Sequence, residues 1–438
     1  MKKIILLLLT AAISLPAFAQ TPDKTKLDKY FDALEANNKY MGSVVVSKDG
    51  KAIYSRSIGF ADAEAGKKIT ADSKFRIGSI SKMFTASMVM KAIEEKKLSL
   101  DDKLDKFFPT VPNASKITIK NLLGHSSGIH NFTNDEEYTS YMATPKTQAE
   151  MVAIISKGKS EFEPGTSADY SNSNYALLGF ILEKVYKKSY KELLTEKIVK
   201  PLGLKNTYYG AKISPANNEV YSYSYAGKWV KEMETDMSIP GGAGAVVSNP
   251  ADLAKFIEGL FAGKVVSAAS LEQMKTISQG YGLGMFRFPF GEKSSYGHTG
   301  GIDRFRSVVT LFPDDKVTVA MTSNGANMDP NEIGITILNW VYNEPFDIPD
   351  FTGYNHTPAE LDQYAGYYES ADIPLPITIT KEGTTLMAQA KGQSAFPLDA
   401  TAKGKFKFEM AGLEMEFNPD GKQMVLKQGG AIYRFTKK

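Results

Sequence analysis

Phe75-Arg76-Ile77-Gly78-Ser79-Ile80-Ser81-Lys82-Met83-Phe84-Thr85 is the stretch on which the fold turns. A glycine punctuates the chain just before Ser79, and beyond it Ile80, Met83, Phe84, Met88 and Ile93 recur near helical spacing. A turn therefore opens into a helix here. Lys82 follows Ser79 by one helical turn, so the two side chains share a face. An amine kept partly neutral by desolvation can take the serine proton, and a helix N-terminus favours the negative charge that then develops. The other reading makes Ser79 a plain helix cap. Ser-x-x-Lys alone is weak, because it occurs again at Ser156-Lys159. Only the first copy sits in this context.

Upstream, Gly42 to Gly59 alternates apolar and polar residues around Val44-Val45-Val46 and Ala52-Ile53-Tyr54, with Asp49-Gly50 between the runs. That pattern predicts a tight hairpin. Downstream, Ser307-Val308-Val309-Thr310-Leu311-Phe312 and Lys316-Val317-Thr318-Val319-Ala320-Met321 flank Pro313-Asp314-Asp315, predicting a second hairpin in the same antiparallel sheet. Helical spacing returns between them at Leu177, Leu178, Ile181, Leu182 and Val185. Strands at both ends with helices in the middle read as an α+β fold. Proline and turn formers then crowd Glu344 to Asp350 and Asn355 to Pro358, as in a linker. Beyond it, short runs such as Ile377-Thr378-Ile379-Thr380, Phe406 to Met410 and Met424-Val425-Leu426 alternate with glycine turns, predicting a small antiparallel barrel or sandwich.

The N-terminus has Lys2 and Lys3, an apolar run from Ile4 to Leu9, and Ala17-Phe18-Ala19. This is the pattern of a cleaved signal peptide over residues 1–19, with Gln20 beginning the mature chain in the periplasm or medium. The apolar stretch is too short and too interrupted for a membrane span. The 438 residues carry 52 basic and 49 acidic side chains, a net charge of +3 with no clustered basic face. Nucleic acid is thereby excluded as a partner. The chain has no cysteine, so disulfides, thiolate nucleophiles and thiolate zinc sites are excluded as well.

Two further motifs carry chemistry. Tyr170-Ser171-Asn172 follows the turn Pro164-Gly165. A tyrosine beside a lysine ammonium has its pKa lowered and can shuttle protons, and an asparagine amide can bridge the lysine and a substrate carbonyl. A packed loop tyrosine is the alternative. His298-Thr299-Gly300-Gly301 precedes the strand at Ser307 and could offer a substrate an open edge, with histidine as proton donor or neutral polar group. A glycine-rich turn with a solvated histidine is the alternative there.

In this order the three motifs resemble the active-site set of the serine β-lactamase and penicillin-binding-protein superfamily. More narrowly, the chain is similar to the class C β-lactamase-related family, which includes D,D-carboxypeptidases, D-amino-acid-specific peptidases and carboxylesterases. The resemblance covers residues 25–343 and takes in Leu122-Leu123-Gly124-His125-Ser126-Ser127-Gly128, Pro201-Leu202-Gly203-Leu204, Asn206-Thr207, Gly241-Gly242 and Tyr281-Gly282-Leu283-Gly284. It implies a sheet flanked by helices plus a helical region; the proline-rich linker spans 344–358, and residues 359–438 resemble the small lipocalin-like β-domains appended to some of these hydrolases. It also implies Ser79 as nucleophile, Lys82 as base, Tyr170 as proton shuttle and Asn172 as the amide beside it. His298, Thr299, Gly300 and Gly301 would line the substrate, with the N–H groups of Ser79 and Gly301 as an oxyanion hole worth about 3 kcal/mol per donor.

Three features qualify the resemblance. Class C β-lactamases have lysine at the position of His298, and histidine there is more typical of the peptidases and esterases. After Gly301 the family often runs through a glycine to phenylalanine, whereas this chain has Ile302-Asp303-Arg304-Phe305-Arg306. Arg304 or Arg306 could anchor a substrate carboxylate or be a surface arginine. His125 looks structural, and His125 with His130 lacks a third ligand for zinc. The expected activity is acyl transfer to water from D-residue-containing peptides or small esters, on a small-molecule or peptide substrate of cell-wall origin, with no cofactor or metal. The alternatives are a β-lactamase, or a penicillin-binding sensor that does not turn over.

Overall fold

The computed structural model describes residues 23–438, apart from 352, 355, 409, 410 and 421. The signal-peptide reading over 1–19 lies outside the described residues, as do Asn355 of the expected linker and Met410 of one expected strand. The Asp49-Gly50 hairpin is present. It joins Tyr40–Lys48 to Lys51–Ile58, and both turn residues have positive φ (51° and 73°), the geometry that a two-residue turn between twisted strands demands. The second hairpin joins Phe305–Phe312 to Val317–Ala326.

Both hairpins lie in one antiparallel sheet of six strands. Its order is Phe286–Phe290, Lys293–Ile302, Phe305–Phe312, Val317–Ala326, Tyr40–Lys48, Lys51–Ile58. Alternate residues serve the two faces. Val44, Val46, Val319 and Met321 pack against Leu27, Phe31 and Leu34 of the Lys24–Ala36 helix and Ile333, Ile337 and Trp340 of the Pro330–Tyr342 helix. Val309, Leu311 and Ala320 face the helical region instead. At its centre runs the Ser81–Glu94 helix, buried on all sides from Ser81 to Met90. Phe84 stacks on Phe256 of the Pro250–Phe261 helix with ring centroids 3.8 Å apart.

One detail of the sheet positions the site. Phe286–Phe290 pairs with Lys293–Gly297 only, so His298–Ile302 runs past its end with a free edge. The His298-Thr299-Gly300-Gly301 stretch, expected to precede a strand, is itself strand.

The C-terminal part is a closed eight-stranded barrel running from Gly366–Ser370 to Ala431–Lys437. Of the two expected β architectures, the barrel is the one found. Its interior is filled by Tyr364, Tyr368, Ile379, Met415, Met424 and Phe435, as a barrel of this strand number allows. The preceding segment crosses the Lys24–Ala36 helix, where Lys26 donates to the Phe346 carbonyl and Tyr30 meets the Phe346 ring edge-on at 6.3 Å. Lys39 Nζ reaches Asp399 of the barrel at 2.7 Å. No described helix is long and apolar enough to cross a membrane.

Candidate active site

The turn that presents Ser79 is held from three directions. Phe75–Arg76 pairs with Val246–Ser248, and the Ile77 N–H donates to the Val246 carbonyl at 3.1 Å. Gly78 then turns the chain at φ 49°, and a short 3-10 turn over Gly78–Ile80 feeds the Ser81–Glu94 helix. The strand carrying Gly300 and Gly301 presses on the same turn. A Cβ on Gly300 would stand 2.0 Å from the Ile77 carbonyl oxygen, and one on Gly78 would stand 2.7 Å from the Gly301 nitrogen. Glycine is therefore required at both positions. Ser307 Oγ adds a bond to the Ile77 carbonyl at 2.8 Å.

Beneath this junction lies Arg76, 2% exposed, donating to Asp303 at 2.7 Å, Glu234 at 3.1 Å, and the Thr235 and Ala211 carbonyls. Asp303 is itself buried and also accepts from the Thr235 hydroxyl and N–H. The residues at the family's glycine position thus form a left-handed turn, with φ 47° at Asp303 and 68° at Arg304, pinned to the base of the nucleophile turn.

Ser79 is not a helix cap, because the cap position falls on Ile80 with no side-chain bond. Its Oγ instead meets Lys82 Nζ at 3.0 Å. Lys82 is 0% exposed, and burial holds its pKa well below the ordinary lysine value. Its other two partners are both acceptors: Asn172 Oδ1 at 2.7 Å and the Ala243 carbonyl at 2.9 Å. A neutral amine has two N–H bonds and one lone pair. Donating to the two carbonyls leaves the lone pair for the Ser79 hydroxyl, which is the arrangement a general base needs.

Asn172 begins the Asn172–Tyr186 helix and is fixed in turn. Its N–H donates to Asn131 Oδ1 at 3.0 Å, and its amide nitrogen to Thr133 Oγ1 at 3.1 Å. Tyr170 stands just ahead of the helix, its hydroxyl beside Ser79 and its ring 4.8 Å from Lys82 Nζ. The sequence led us to expect a lowered tyrosine pKa. The structure reverses that expectation: burial raises Tyr170 and outweighs the lowering effect of Ser79 beside it. Tyr170 rests as a protonated phenol.

His125 explains how Tyr170 is held. At φ 56° its imidazole stacks on the Tyr170 ring at 4.5 Å, and its Nδ1 accepts from the Ser171 N–H at 3.1 Å. Burial, together with Lys82 and His298, holds it neutral. His298 is not the solvated histidine of a turn. It is 2% exposed between Phe286 and Tyr170, and burial with Lys82 depresses its pKa to about 3. Its Nδ1 donates to the Thr299 carbonyl, so Nε2 is an acceptor. Thr299 is exposed beside the free strand edge.

All eight expected site residues thus fall around one strand edge and one turn. The second Ser-x-x-Lys copy does not join them. Ser156 meets the Thr110 hydroxyl, and Lys159 is exposed. His130 pairs with Asp135 and Glu161, away from His125, and the described residues contain no group of three metal-ligating side chains. Sequence reading missed Asn131, Thr133 and the Ala243 carbonyl, which orient Lys82 and Asn172 without any local motif. It also missed Phe286, whose ring closes on His298 at 4.7 Å.

Residues 27–340 match the family described as Beta-lactamase. The chain belongs to that family. Among its beta-lactamase-family relatives, it is 26% identical over 426 residues to penicillin-binding protein 4* of Bacillus subtilis strain 168, spanning 89% of this chain and 93% of that protein. It is 27% identical over 313 residues to the teichoic acid D-alanine hydrolase of Staphylococcus aureus strain MRSA252, spanning 70% and 75%. A solved D-stereospecific amidohydrolase from a Streptomyces species shares 28% identity and superposes with a TM-score of 0.60, over 70% of this chain and 95% of that one. The family resemblance and the enzyme class it implied, a serine hydrolase, both hold.

Proposed function

We infer that this beta-lactamase-family chain is an exported serine hydrolase that forms an acyl-enzyme at Ser79 and acts on D-residue-containing peptides or small esters. The observation that carries the mechanism is Lys82: a buried amine with a depressed pKa, 3.0 Å from Ser79 Oγ, with its N–H bonds directed to two carbonyls. In the proposed acylation Ser79 gives its proton to Lys82 as Oγ attacks the substrate carbonyl. The developing oxyanion sits on the N–H groups of Ser79 and Gly301. Tyr170, protonated at rest, passes its proton to the departing amine or alcohol and is resupplied from Lys82. Water repeats the sequence to release the acid.

The substrate class is supported by the relatives' names, one a teichoic acid D-alanine hydrolase and one a D-stereospecific amidohydrolase. A β-lactamase is the weaker reading, because neutral His298 brings no cation to the place where such enzymes have lysine. Export rests on Lys2-Lys3, the apolar run and Ala17-Phe18-Ala19; the mature protein should begin at Gln20 on N-terminal sequencing. A fluorophosphonate should add its mass at Ser79, and Ser79→Ala should lose both label and turnover. Comparing a D-alanyl-D-alanine peptide, a p-nitrophenyl ester and a chromogenic cephalosporin assigns the substrate. A chain that neither labels nor hydrolyses any of the three refutes the reading.

A further inference from the structure

The residues that orient Asn172 belong to a turn with supports of its own. Residues 130–133 wrap the entrance of the Asn172–Tyr186 helix. The His130 carbonyl accepts from Ser173 Oγ at 2.6 Å, and the Phe132 N–H donates to the same Oγ at 3.2 Å. Asn131 and Thr133 take the Asn172 N–H and amide nitrogen. Thr133 Oγ1 also donates to Asn131 Oδ1 at 3.0 Å, so the two acceptors of Asn172 are fixed to each other. Asn172 Oδ1 in turn accepts from Lys82. The direction of that N–H, and with it of the lone pair aimed at Ser79, depends on where this turn stands.

The ring of His130 ties the turn to its surroundings. Its Nε2 meets Asp135 Oδ1 at 2.8 Å, and its Nδ1 meets Glu161 Oε1 at 2.5 Å. Asp135 closes the far end of the same turn, whereas Glu161 lies on the segment between the Gln148–Lys157 helix and Tyr170. That segment is pressed against the turn. The Glu161 N–H donates to the Gly128 carbonyl at 2.9 Å, and a Cβ on Gly158 would stand 2.7 Å from the His130 Cβ. An imidazole donates to two carboxylates only when both nitrogens carry a proton. Glu161 foremost, with Asp135, favours that form and raises the His130 pKa against its partial desolvation. A cation bonded on both sides is a charge-assisted brace, firmer than a single surface pair.

We propose that His130 is a positioning residue of the Ser79 site: bridged to Glu161 and Asp135, it braces the turn that holds Asn172, and through Asn172 it directs Lys82 at Ser79. This rests on the hydrolase reading above and adds a determinant of its rate that lies outside the three motifs. Releasing the brace leaves Ser79, Lys82 and the free strand edge in place. What changes is the aim of the amine, so proton transfer from Ser79 slows while binding at the edge does not.

The test uses the full chain and the kinetics of fluorophosphonate labelling at Ser79, at about pH 6.5, where the raised pKa keeps His130 mostly charged. His130→Ala should lower the limiting rate at saturating reagent about 10-fold and leave the half-saturating concentration unchanged within about twofold. Glu161→Gln, at a half-exposed side chain, keeps the fold and should lower the limiting rate about threefold, because a hydrogen bond remains without its charge. Asn131→Ala should slow labelling at least as much as His130→Ala. Combining the two should add little, since both act through Asn172. Three results overturn the inference while the hydrolase reading stands: Glu161→Gln at the wild-type rate, a His130→Ala effect confined to the half-saturating concentration, or losses from His130→Ala and Asn131→Ala that multiply in full. Absence of labelling in the wild-type chain overturns the hydrolase reading and the inference with it.

Discussion

Burying an amine with no carboxylate beside it is unfavourable while the amine is charged, and among the described residues Lys82 has a hydroxyl and two carbonyl oxygens as its hydrogen-bond partners. Its pKa is lowered on folding, so between the folded and unfolded values the unfolded chain binds the extra proton and stability rises with pH. Lys82→Met removes that dependence. Wild-type stability relative to this variant should therefore increase as the pH climbs toward about 10.4, the ordinary lysine value. Denaturant titrations at about pH 7 and about pH 9.5 read the difference, and an equal gap at both would mean that the native amine is charged. The same residue sets the activity profile. kcat/KM should rise through the depressed Lys82 pKa and stay level past about 10, the usual tyrosine value, because burial raises Tyr170. Lys82→Met should lose about 10³-fold or more in kcat. The pairing of Ser79 with Lys82 was legible from spacing, but the sign of the Tyr170 shift was not. That sign depends on how deeply the phenol is buried, which only the three-dimensional fold decides.

At the level of elements, the site depends on how closely one strand meets one turn. Gly300→Ala would drive a methyl into the Ile77 backbone carbonyl, and no side-chain rotation can relieve the clash. Displacing the strand moves the Gly301 N–H, so kcat should fall by about 10²-fold. Gly280→Ala is the matched control: its φ is 90° but a Cβ there meets open space, so backbone strain alone should cost about 1 kcal/mol and leave kcat intact. Asp303→Asn tests the support beneath. It removes one charge from a buried pair and should destabilise by about 3 kcal/mol in chemical denaturation. The sequence read His298 to Gly301 as the approach to a strand rather than the strand itself. Two glycines and a histidine carry no β-propensity, and the edge is strand because the Phe305–Phe312 partner holds it there. The Ser81–Glu94 helix was easier to find, although burial on every side blurs its apolar periodicity.

For the molecule as a whole, what could be read in advance was local: Asp49-Gly50, Pro313-Asp314-Asp315 and the proline-rich segment after Asn343 each announce themselves by turn chemistry. The pairing of Tyr40–Lys48 with Val317–Ala326, strands more than 260 residues apart, has no such local mark: two apolar hairpins can be assigned to one sheet from their patterns, but which strands pair cannot. The distribution of cores has a consequence for unfolding. Both faces of the six-stranded sheet are packed by residues from the N-terminal helix through Trp340, whereas the barrel encloses a cluster of its own between Leu361 and Phe435. The junction is thin and polar, with Lys39 to Asp399 across it and a cavity of ≈ 300 Å³ beside that pair. Two cores joined so weakly should melt separately. Calorimetry should resolve two transitions, the barrel's the smaller, since unfolding enthalpy runs near 0.7 kcal/mol per residue. The two tryptophans, Trp229 and Trp340, both precede the barrel, so tryptophan fluorescence should follow only the larger transition. A single calorimetric peak coinciding with the fluorescence midpoint would instead mean that the barrel and the catalytic part stabilise each other as one cooperative unit.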